Sequence, residues 1–454
     1  MMIRPTANHA RQAIRLSAHC LCGLLWLCSL HAWAQQPPEG RSRLVVLAPA
    51  HPHGVQIQLA LAQTFQRDVY VYAPHADELQ ASYLNSINRL NRSATPDEVW
   101  KVHTYVGDDF IERMLQEQKG DVAMIASNNQ QKADQILEAA KAGLGIIADK
   151  PMALNSSGFA KLRLAMAEAE KQGRFVTDLP AMSMRNWVPC ILQKELVSIP
   201  EIFGTLEKGS AEDPAIVQEN MHYYYKRIKR PAWFFDVKQQ GNGVTDVTTH
   251  LADLVLWTCF PTQAVRYDTD IEIVSAELWP TTITPTQFKK ATRVDAYPDF
   301  LKPYQQDSVL EVFSNGQIVT KIKGVYARFT ARWEFEAAAG KSDTHQSVIR
   351  GTRATLRIKP GYPLDLYIEP ADGVRLADFE NVLRDKVDQW QVIYPFISLH
   401  PEEKGWRITS EKRSVGKETR LVLPSKQEVD RMLAKYYITT QADAAADWLE
   451  RPDL

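Results

Sequence analysis

Between Arg43 and Thr177, short apolar runs alternate with stretches of helical spacing, and this alternation leaves few possible folds. Arg43–Ala48 (Arg-Leu-Val-Val-Leu-Ala), Val69–Tyr72, Lys101–Tyr105, Asp121–Ala126 and Leu144–Ala148 read as strands, and Arg174–Thr177 closes the series. Gly54–Arg67, Asp108–Glu117, Gln131–Ala142 and Gly158–Gln172 read as helices. The first of these sets Val55, Ile57, Leu59, Leu61 and Phe65 at apolar positions, and the third ends at Gly143, a suitable C-cap. Strands without polar alternation are buried on both faces, and helices between them supply the crossovers that parallel strands require. The pattern predicts an α/β unit with a doubly wound parallel sheet.

After Leu179 the pattern changes. From Asp270 the strands follow one another without helices between them. Ser308–Phe313 and Gln317–Lys323 flank Asn315-Gly316, a two-residue hairpin signal. Val325–Glu336 alternates, and Ser347–Ile358 carries a turn at Arg350-Gly351-Thr352. Phe379–Tyr394 and Gln427–Tyr436 have helical spacing. This is the signature of an α+β unit with a largely antiparallel sheet. A chain of 454 residues is too long for one ordinary core, so the expected division is residues 41–179 and residues 180–454, the second with a helical tail.

The first 34 residues read as a leader. Arg4, Arg11 and Arg15 precede the short apolar run Leu21–Leu30, and Ala32-Trp33-Ala34 places small residues where a signal peptidase reads them. The run is too short to span a bilayer, and no later stretch is long and apolar enough. The expectation is an exported, periplasmic protein with no membrane span once the leader is removed. Removal takes away three arginines and no acid, leaving 50 basic against 54 acidic residues. That near-neutral balance carries no nucleic-acid footprint. Cys190 and Cys259 remain, without metal-type spacing.

The chemistry-bearing residues fall in two short segments. Asp246 and His250 lie four apart in Gly241-Asn242-Gly243-Val244-Thr245-Asp246-Val247-Thr248-Thr249-His250-Leu251-Ala252-Asp253, so a helix presents both on one face. Asp149-Lys150-Pro151 follows directly on the apolar run Leu144–Ala148. A lone helical histidine is more often a core residue, and Lys-Pro after a strand is usually a turn. Together they point to proton-coupled chemistry on an alcohol. His51 and His53 are close, yet no carboxylate or cysteine accompanies them at metal spacing, so no metal site is expected. A Ser-His-Asp hydrolase would need a Gly-x-Ser-x-Gly turn, which is missing.

In order, these segments resemble the Gfo/Idh/MocA oxidoreductases, the group of glucose–fructose oxidoreductase and inositol dehydrogenase. The resemblance covers about residues 43–358. Asp149-Lys150-Pro151 stands where the family has Glu-Lys-Pro, and Arg185-Asn186-Trp187-Val188-Pro189 resembles its Arg-aromatic-x-Pro. Gly241 to Asp253 resembles its Gly-Gly…Asp-x-x-x-His-x-x-Asp helix. Arg230-Pro231-Ala232-Trp233-Phe234-Phe235-Asp236 and the tail look like an exported subgroup. The resemblance implies an N-terminal Rossmann domain, an open-sheet second domain, NAD or NADP as cofactor, a carbohydrate substrate and a homo-oligomer. Lys150, Asp246 and His250 would be catalytic: His250 takes the hydroxyl proton, Asp246 orients that imidazole or binds a neighbouring hydroxyl, and Lys150 stabilises the alcohol oxygen.

The expected cofactor contacts are Ala50, His51, His53, Tyr72, Ser127, Asn128, Asn129, Lys150 and Pro151. Substrate contacts are expected from Arg185, His222, Tyr223 and Trp233, in a segment rich in aromatics and cations that serves equally well for domain packing. Ser127-Asn128-Asn129 also suits a helix N-cap, and His345 reads as part of a surface turn. One departure stands out. Ala48-Pro49-Ala50-His51-Pro52-His53-Gly54 replaces the Gly-x-Gly-x-x-Gly turn, with Ala48, Ala50 and His53 at the glycine places. No ribose carboxylate ends Val69–Tyr72, although Asp77 and Glu78 are near, so NAD and NADP stay open. The primary reading is a nicotinamide-dependent oxidoreductase for a secondary hydroxyl of a sugar, polyol or glycoside, with the cofactor tightly held. The alternatives are a carbohydrate-binding protein with a decayed nucleotide site, and a glycoside-cleaving enzyme that works through transient oxidation.

Overall fold

The computed structural model describes residues 40–441 apart from 179–183, 227–228, 340, 362–363, 413, 416–420 and 422. The leader expected over residues 1–34 lies outside the described residues.

Six parallel strands form the first sheet: β1 (Ser42–Leu47), β2 (Phe65–Ala73), β3 (Lys101–Val106), β4 (Val122–Ile125), β5 (Gly145–Ala148) and β6 (Val176–Asp178). Their spatial order is β3-β2-β1-β4-β5-β6. Helices α1 (His53–Ala60), α2 (Phe110–Glu117), α3 (Asn129–Lys141) and α4 (Ser156–Lys171) lie between strands. The chain reverses its direction of progress at β1, which pairs with β2 on one side and β4 on the other. Such a switch point opens a crevice at the strand tips where ligands bind. Alternation divides the sheet between two cores: Leu44, Val46, Val69 and Val71 face one, while Val45, Leu47 and Tyr72 face the other. Each buried aliphatic side chain here contributes about 1.5–3 kcal/mol.

One boundary moves. The helix expected over Gly54–Arg67 stops at Ala60, and Phe65 opens β2. Ser42 pairs with Phe65 and Leu44 with Val69. The ladder draws the polar stretch Gln66-Arg67-Asp68 into a strand whose apolar partners are already in the core.

The second sheet is mixed. Its strands are β7 (Ile216–Tyr225), β8 (Ile271–Ile283), β9 (Gln305–Gln306), β10 (Val309–Ile322), β11 (Val325–Glu336), β12 (Thr344–Arg350), β13 (Ala354–Ile358), β14 (Leu366–Pro370), β15 (Ile397–Glu402) and β16 (Gly405–Ser410). The order is β15-β16-β14-β13-β12-β7-β11-β10-β8, with β9 beside β10. Only β7 and β11 run parallel, so the largely antiparallel expectation holds. Helices α5 (Val188–Val197), α6 (Gly243–Asp246), α7 (Thr248–Cys259), α8 (Pro285–Thr292), α9 (Leu376–Ile393) and α10 (Lys426–Thr440) accompany the sheet. α8 interrupts the strand run expected without helices. Its start is a capping box of Thr284 and Gln287, with Pro285 in the first turn. α10 reaches back to the first sheet, where Met432 and Tyr436 complete one of its two cores.

The hairpin expected at Asn315-Gly316 is not there. Both residues lie inside β10, and the chain turns at Lys323-Gly324, both with positive φ (48° and 82°). Asn315 spans a register shift in the ladder between β10 and β8. Its Nδ2 donates to Thr281 Oγ1 at 2.8 Å, and its Oδ1 accepts from Trp333 N at 2.6 Å. Gly316 and Gly243 make room for α6 to lie on the strand. A Cβ on Gly243 would sit 2.3 Å from the Asn315 carbonyl carbon. A Gly243→Ala protein must push α6 off β10, and a stability loss of about 1–3 kcal/mol is expected. Urea denaturation would show it, and an unchanged midpoint would contradict this packing.

His345 is also corrected. It is fully buried on β12, with Nδ1 2.8 Å from Asn220 Oδ1. β7 escaped the sequence reading for the same reason. Its buried face carries Gln218, whose Nε2 donates to Ser347 Oγ, and Asn220, whose Oδ1 meets His345, both partners on β12.

Candidate active site

The tips of β1 and β5 bring together a charged cluster. Asp149 follows β5 and is almost wholly buried. Its carboxylate pairs with the ammonium of Lys132, itself fully buried on α3. Asp149 Oδ2 also lies 3.3 Å from His53 Nδ1 and 3.6 Å from His51 Nδ1. Burial alone would raise the Asp149 carboxyl, but Lys132 and then His53 hold it below the usual carboxylate range. The expectation that no carboxylate accompanies the two histidines is therefore overturned. Asp149 arrives from a separate strand, and the three residues hold ligand-type atoms within 4.8 Å of one another. Lys132 and the imidazoles already satisfy that carboxylate without an ion.

The β1–α1 turn keeps two of the three functions usually given to glycine. Ala48 adopts φ 38°, in the left-handed region that glycine enters freely. Gly54 lies against β4, where a Cβ would be 3.3 Å from the Ala126 methyl, so α1 packs closely on the sheet. The turn at the switch point thus fits a dinucleotide with Ala48, Ala50 and His53 in place of three glycines.

Lys150 reaches from the end of β5 to the last residue of α6. Its Nζ donates to Asp246 Oδ1 at 2.9 Å and to the Asp246 carbonyl at 3.1 Å. Asn242 caps α6 by accepting from Val244 N and Thr245 N at 2.9 and 3.0 Å, which fixes the direction in which Asp246 projects. Burial raises the Asp246 carboxyl, Lys150 opposes that, and the net position is below the ordinary value. His250 lies on the next turn. Burial first, then the charges of Lys150 and His222, holds its imidazole well below the ordinary histidine range. It is therefore neutral and able to accept a proton. Asp246 touches Lys150 rather than His250 in the described hydrogen bonds. The orienting role expected of it toward His250 is replaced by a grip on the lysine, because α6 ends at Asp246 and α7 begins afresh at Thr248. A water-sized space of about 10 Å³ adjoins Asp246, bounded by Tyr224, Phe234 and Trp333.

The other candidates separate into two groups. His222 shares this neighbourhood, and its field falls on both Asp246 and His250. Tyr223 does not, since successive residues of β7 point to opposite faces. Trp233 donates Nε1 to Glu78 Oε1 at 3.0 Å and so ties the second sheet's loop to the helical stretch after β2. Arg185 forms a two-pronged pair with Asp253 at 2.6 and 2.8 Å, which anchors α7.

Among the expected cofactor contacts, Tyr72 is buried in the core with its hydroxyl on Glu117 at 2.5 Å. Asn128 caps α3 and donates to Gln239 Oε1 at 2.8 Å, while Asn129 donates to the Gln240 carbonyl at 2.7 Å. Ser127 is buried beside them, with its hydroxyl 3.3 Å from the Asn128 carbonyl. Asn128 and Asn129 stitch α3 to the short helix Val237–Gln240 that precedes α6. Ala50 and Pro151 sit at the tips of β1 and β5, Pro151 after a cis peptide. Sequence reading missed Lys132, whose signal was its place among Ala133, Ile136 and Ala140 on the apolar stripe of α3. It also missed Asp343, which precedes β12 and shows no motif.

His51, His53 and His250 all have lowered pKa values, with burial as the leading cause in each. Between the unfolded value near pH 6.5 and the lower folded values, the unfolded chain binds more protons. Stability is present above that window and falls as the pH drops through it, by up to about 1.4 kcal/mol per pH unit for each histidine. Urea midpoints are expected to drop between pH 7 and pH 5, with a shallower slope in a His250→Gln protein. A flat profile would mean these imidazoles titrate alike in the folded and the unfolded chain.

Comparison with known proteins agrees with this geometry. The model of "Oxidoreductase family, NAD-binding Rossmann fold" matches residues 55–177. The model of "Putative oxidoreductase C terminal domain" matches residues 192–447. A putative oxidoreductase from Parabacteroides merdae has a crystal structure with TM-score 0.84 and 38% identity, over 89% of this chain and 97% of that one. A second, from Thermotoga maritima, has TM-score 0.54 and 16% identity over 90% and 98% of the two chains. KijD10, a 3-ketoreductase from Actinomadura kijaniata in complex with NADP and TDP-benzene, has TM-score 0.51 and 12% identity over 90% and 98%. No curated protein matches the sequence. With one family model spanning more than half its length and a 38% identical relative over most of it, this chain belongs to the NAD-binding oxidoreductases with a Rossmann fold and an oxidoreductase C-terminal domain.

Proposed function

We propose that the protein oxidises a secondary hydroxyl of a sugar, polyol or glycoside. The observation that carries this reading is the meeting of Lys150 and Asp246, 2.9 Å apart, beside the neutral His250. Ala50, His51, His53 and Lys150 line the strand tips where the family's NAD or NADP would be held. When bound, the nicotinamide supplies the hydride acceptor that no side chain can provide. His250 takes the proton of the hydroxyl. Lys150, held by Asp246, donates to the oxygen as negative charge develops on it. Trp233, bound to Glu78, closes one side between the two sheets. The fold shared with a 3-ketoreductase that binds NADP and a TDP compound supports a sugar-type substrate.

Export is part of the proposal, resting on the leader expected over residues 1–34. Free nicotinamide nucleotides are scarce outside the cytoplasm, so the cofactor would be retained and recycled within the site. The test is mass spectrometry of the supernatant after denaturing gently purified protein, followed by a panel of hexosides and polyols with absorbance of the reduced nicotinamide as readout. Released nucleotide and its reduction by a sugar are expected. Failure to find nucleotide, together with no binding on titration with NAD and NADP, would end the proposal in favour of a carbohydrate-binding role.

A further inference from the structure

His222 is more than a neighbour of the site. It lies on β7 beside Trp333 of β11, and the two rings stack with centroids 5.1 Å apart and planes 26° apart. Asp343, immediately before β12, brings Oδ2 to 3.1 Å from His222 Nδ1. Lys226 pairs with the same carboxylate oxygen. Burial would raise the Asp343 carboxyl, but the His222 hydrogen bond and then Lys226 hold it at about 2. An ionised carboxylate at Nδ1 keeps the proton on that nitrogen and leaves Nε2 as the basic atom. Nε2 is buried and has no hydrogen-bond partner among the described residues. Orphaned buried polar atoms of this kind call for an explanation.

The arrangement brings the imidazoles of His222 and His250 into one neighbourhood with Asp246, which holds Lys150. Oxidising an alcohol releases one proton from oxygen, and His250 accounts for it. A second base needs a second proton. Once a ring hydroxyl has become a ketone, the C–H on the adjacent carbon is the next most acidic bond.

Resting on the function proposed above, we propose that His222 is a catalytic base that removes the proton next to the newly formed ketone of a glycoside, with Asp343 as its positioning residue. The C–H bond breaks, and its proton goes to His222 Nε2. The electron pair becomes the new carbon–carbon double bond as the carbonyl pair moves onto oxygen, which Lys150 stabilises. The enolate then re-forms its carbonyl and expels the oxygen substituent two carbons from the ketone as an alcohol. The expelled oxygen receives the proton from His222, leaving an unsaturated ketone. The oxidant is the NAD or NADP of the family. The substrate class is therefore a glycoside with a leaving group on the carbon beyond the acidified one.

The test uses the purified holoenzyme with methyl α- and β-hexopyranosides in D₂O. Nicotinamide reduction is read by absorbance, and exchange or loss of the ring hydrogen by proton NMR. Wild type is expected to reduce the nicotinamide and to exchange that hydrogen or release methanol. His222→Gln should slow exchange by about 100-fold or more while hydride transfer falls far less. Asp343→Asn should show the same split more weakly, with exchange shifted in its pH profile, which a merely structural role would not produce. Reduction without exchange in wild type, or equal losses of both steps in His222→Gln, would overturn the role of His222 and leave the proposed oxidation standing. No reduction with any sugar would instead remove the oxidation itself, and this inference with it.

Discussion

A Lys150→Met protein is expected to lose turnover by about 10²–10³-fold while still binding nucleotide. The side chain is nearly isosteric, so the loss isolates the ammonium. That charge stands at the junction of the two sheets, and Asp246 holds it at 2.9 Å. Asp246 acts through Lys150 in this arrangement, so Asp246→Asn should cost less, and the double variant should cost little more than Lys150→Met alone. Losses that multiply instead of overlapping would show that Asp246 has its own contact with the substrate. Thermal melts of each variant separate turnover from folding, because Lys150→Met also leaves the buried Asp246 carboxylate without its ion partner.

The largest expected effect on stability lies at Asp149, the residue directly before Lys150. Lys132 is fully buried, and its partner Asp149 is 2% exposed. Breaking such a pair from one side leaves an uncompensated buried charge. Lys132→Met is expected to cost about 3–5 kcal/mol. Neutralising both members in a Lys132→Met, Asp149→Leu protein should recover part of that loss, since two apolar groups need no partner. The recovery would remain incomplete, because His51 and His53 also lean on the carboxylate. Urea denaturation is the measurement. A loss below about 1 kcal/mol in the single variant is what a solvent-screened surface pair would give, and it would contradict the buried arrangement.

Much of the first sheet was legible because its signal is one of contrast. Val122–Ile125 and Gly145–Ala148 are wholly apolar or glycine and lie in apolar runs closed by Asp121 and Ser127 and by Gly143 and Asp149, so strand and position emerge together. Lys150, Asp246 and His250 were picked out by residue type and spacing, yet the one helix expected to carry Asp246 and His250 is two, and Lys150 meets Asp246 only through the fold. What escaped was long-range. Asp149 joins His51 and His53 only when β5 lies near β1 through β4, and Asp343 reaches His222 only through the pairing of β12 with β7. Asn315-Gly316 misled because the same dipeptide that suits a turn also suits a strand crossed closely by a helix. Gly316 lacks a side chain for Val244 to meet, and Asn315 replaces broken ladder bonds with its amide. Arg185 and Tyr72 looked like ligand-binding residues by type, but each found a carboxylate within the fold.

Met432 and Tyr436 of the final helix belong to a core shared with Leu47, Ile125 and Ala148 of the opening sheet. The earliest part of the polypeptide therefore waits for the latest. During synthesis, the segment up to Asp178 has its strands but lacks two of the side chains that seal one of its faces. Its apolar surface stays accessible to chaperones until some 250 further residues have emerged. A truncated product ending before Lys426 would keep every catalytic side chain named above and still fail to hold them in place.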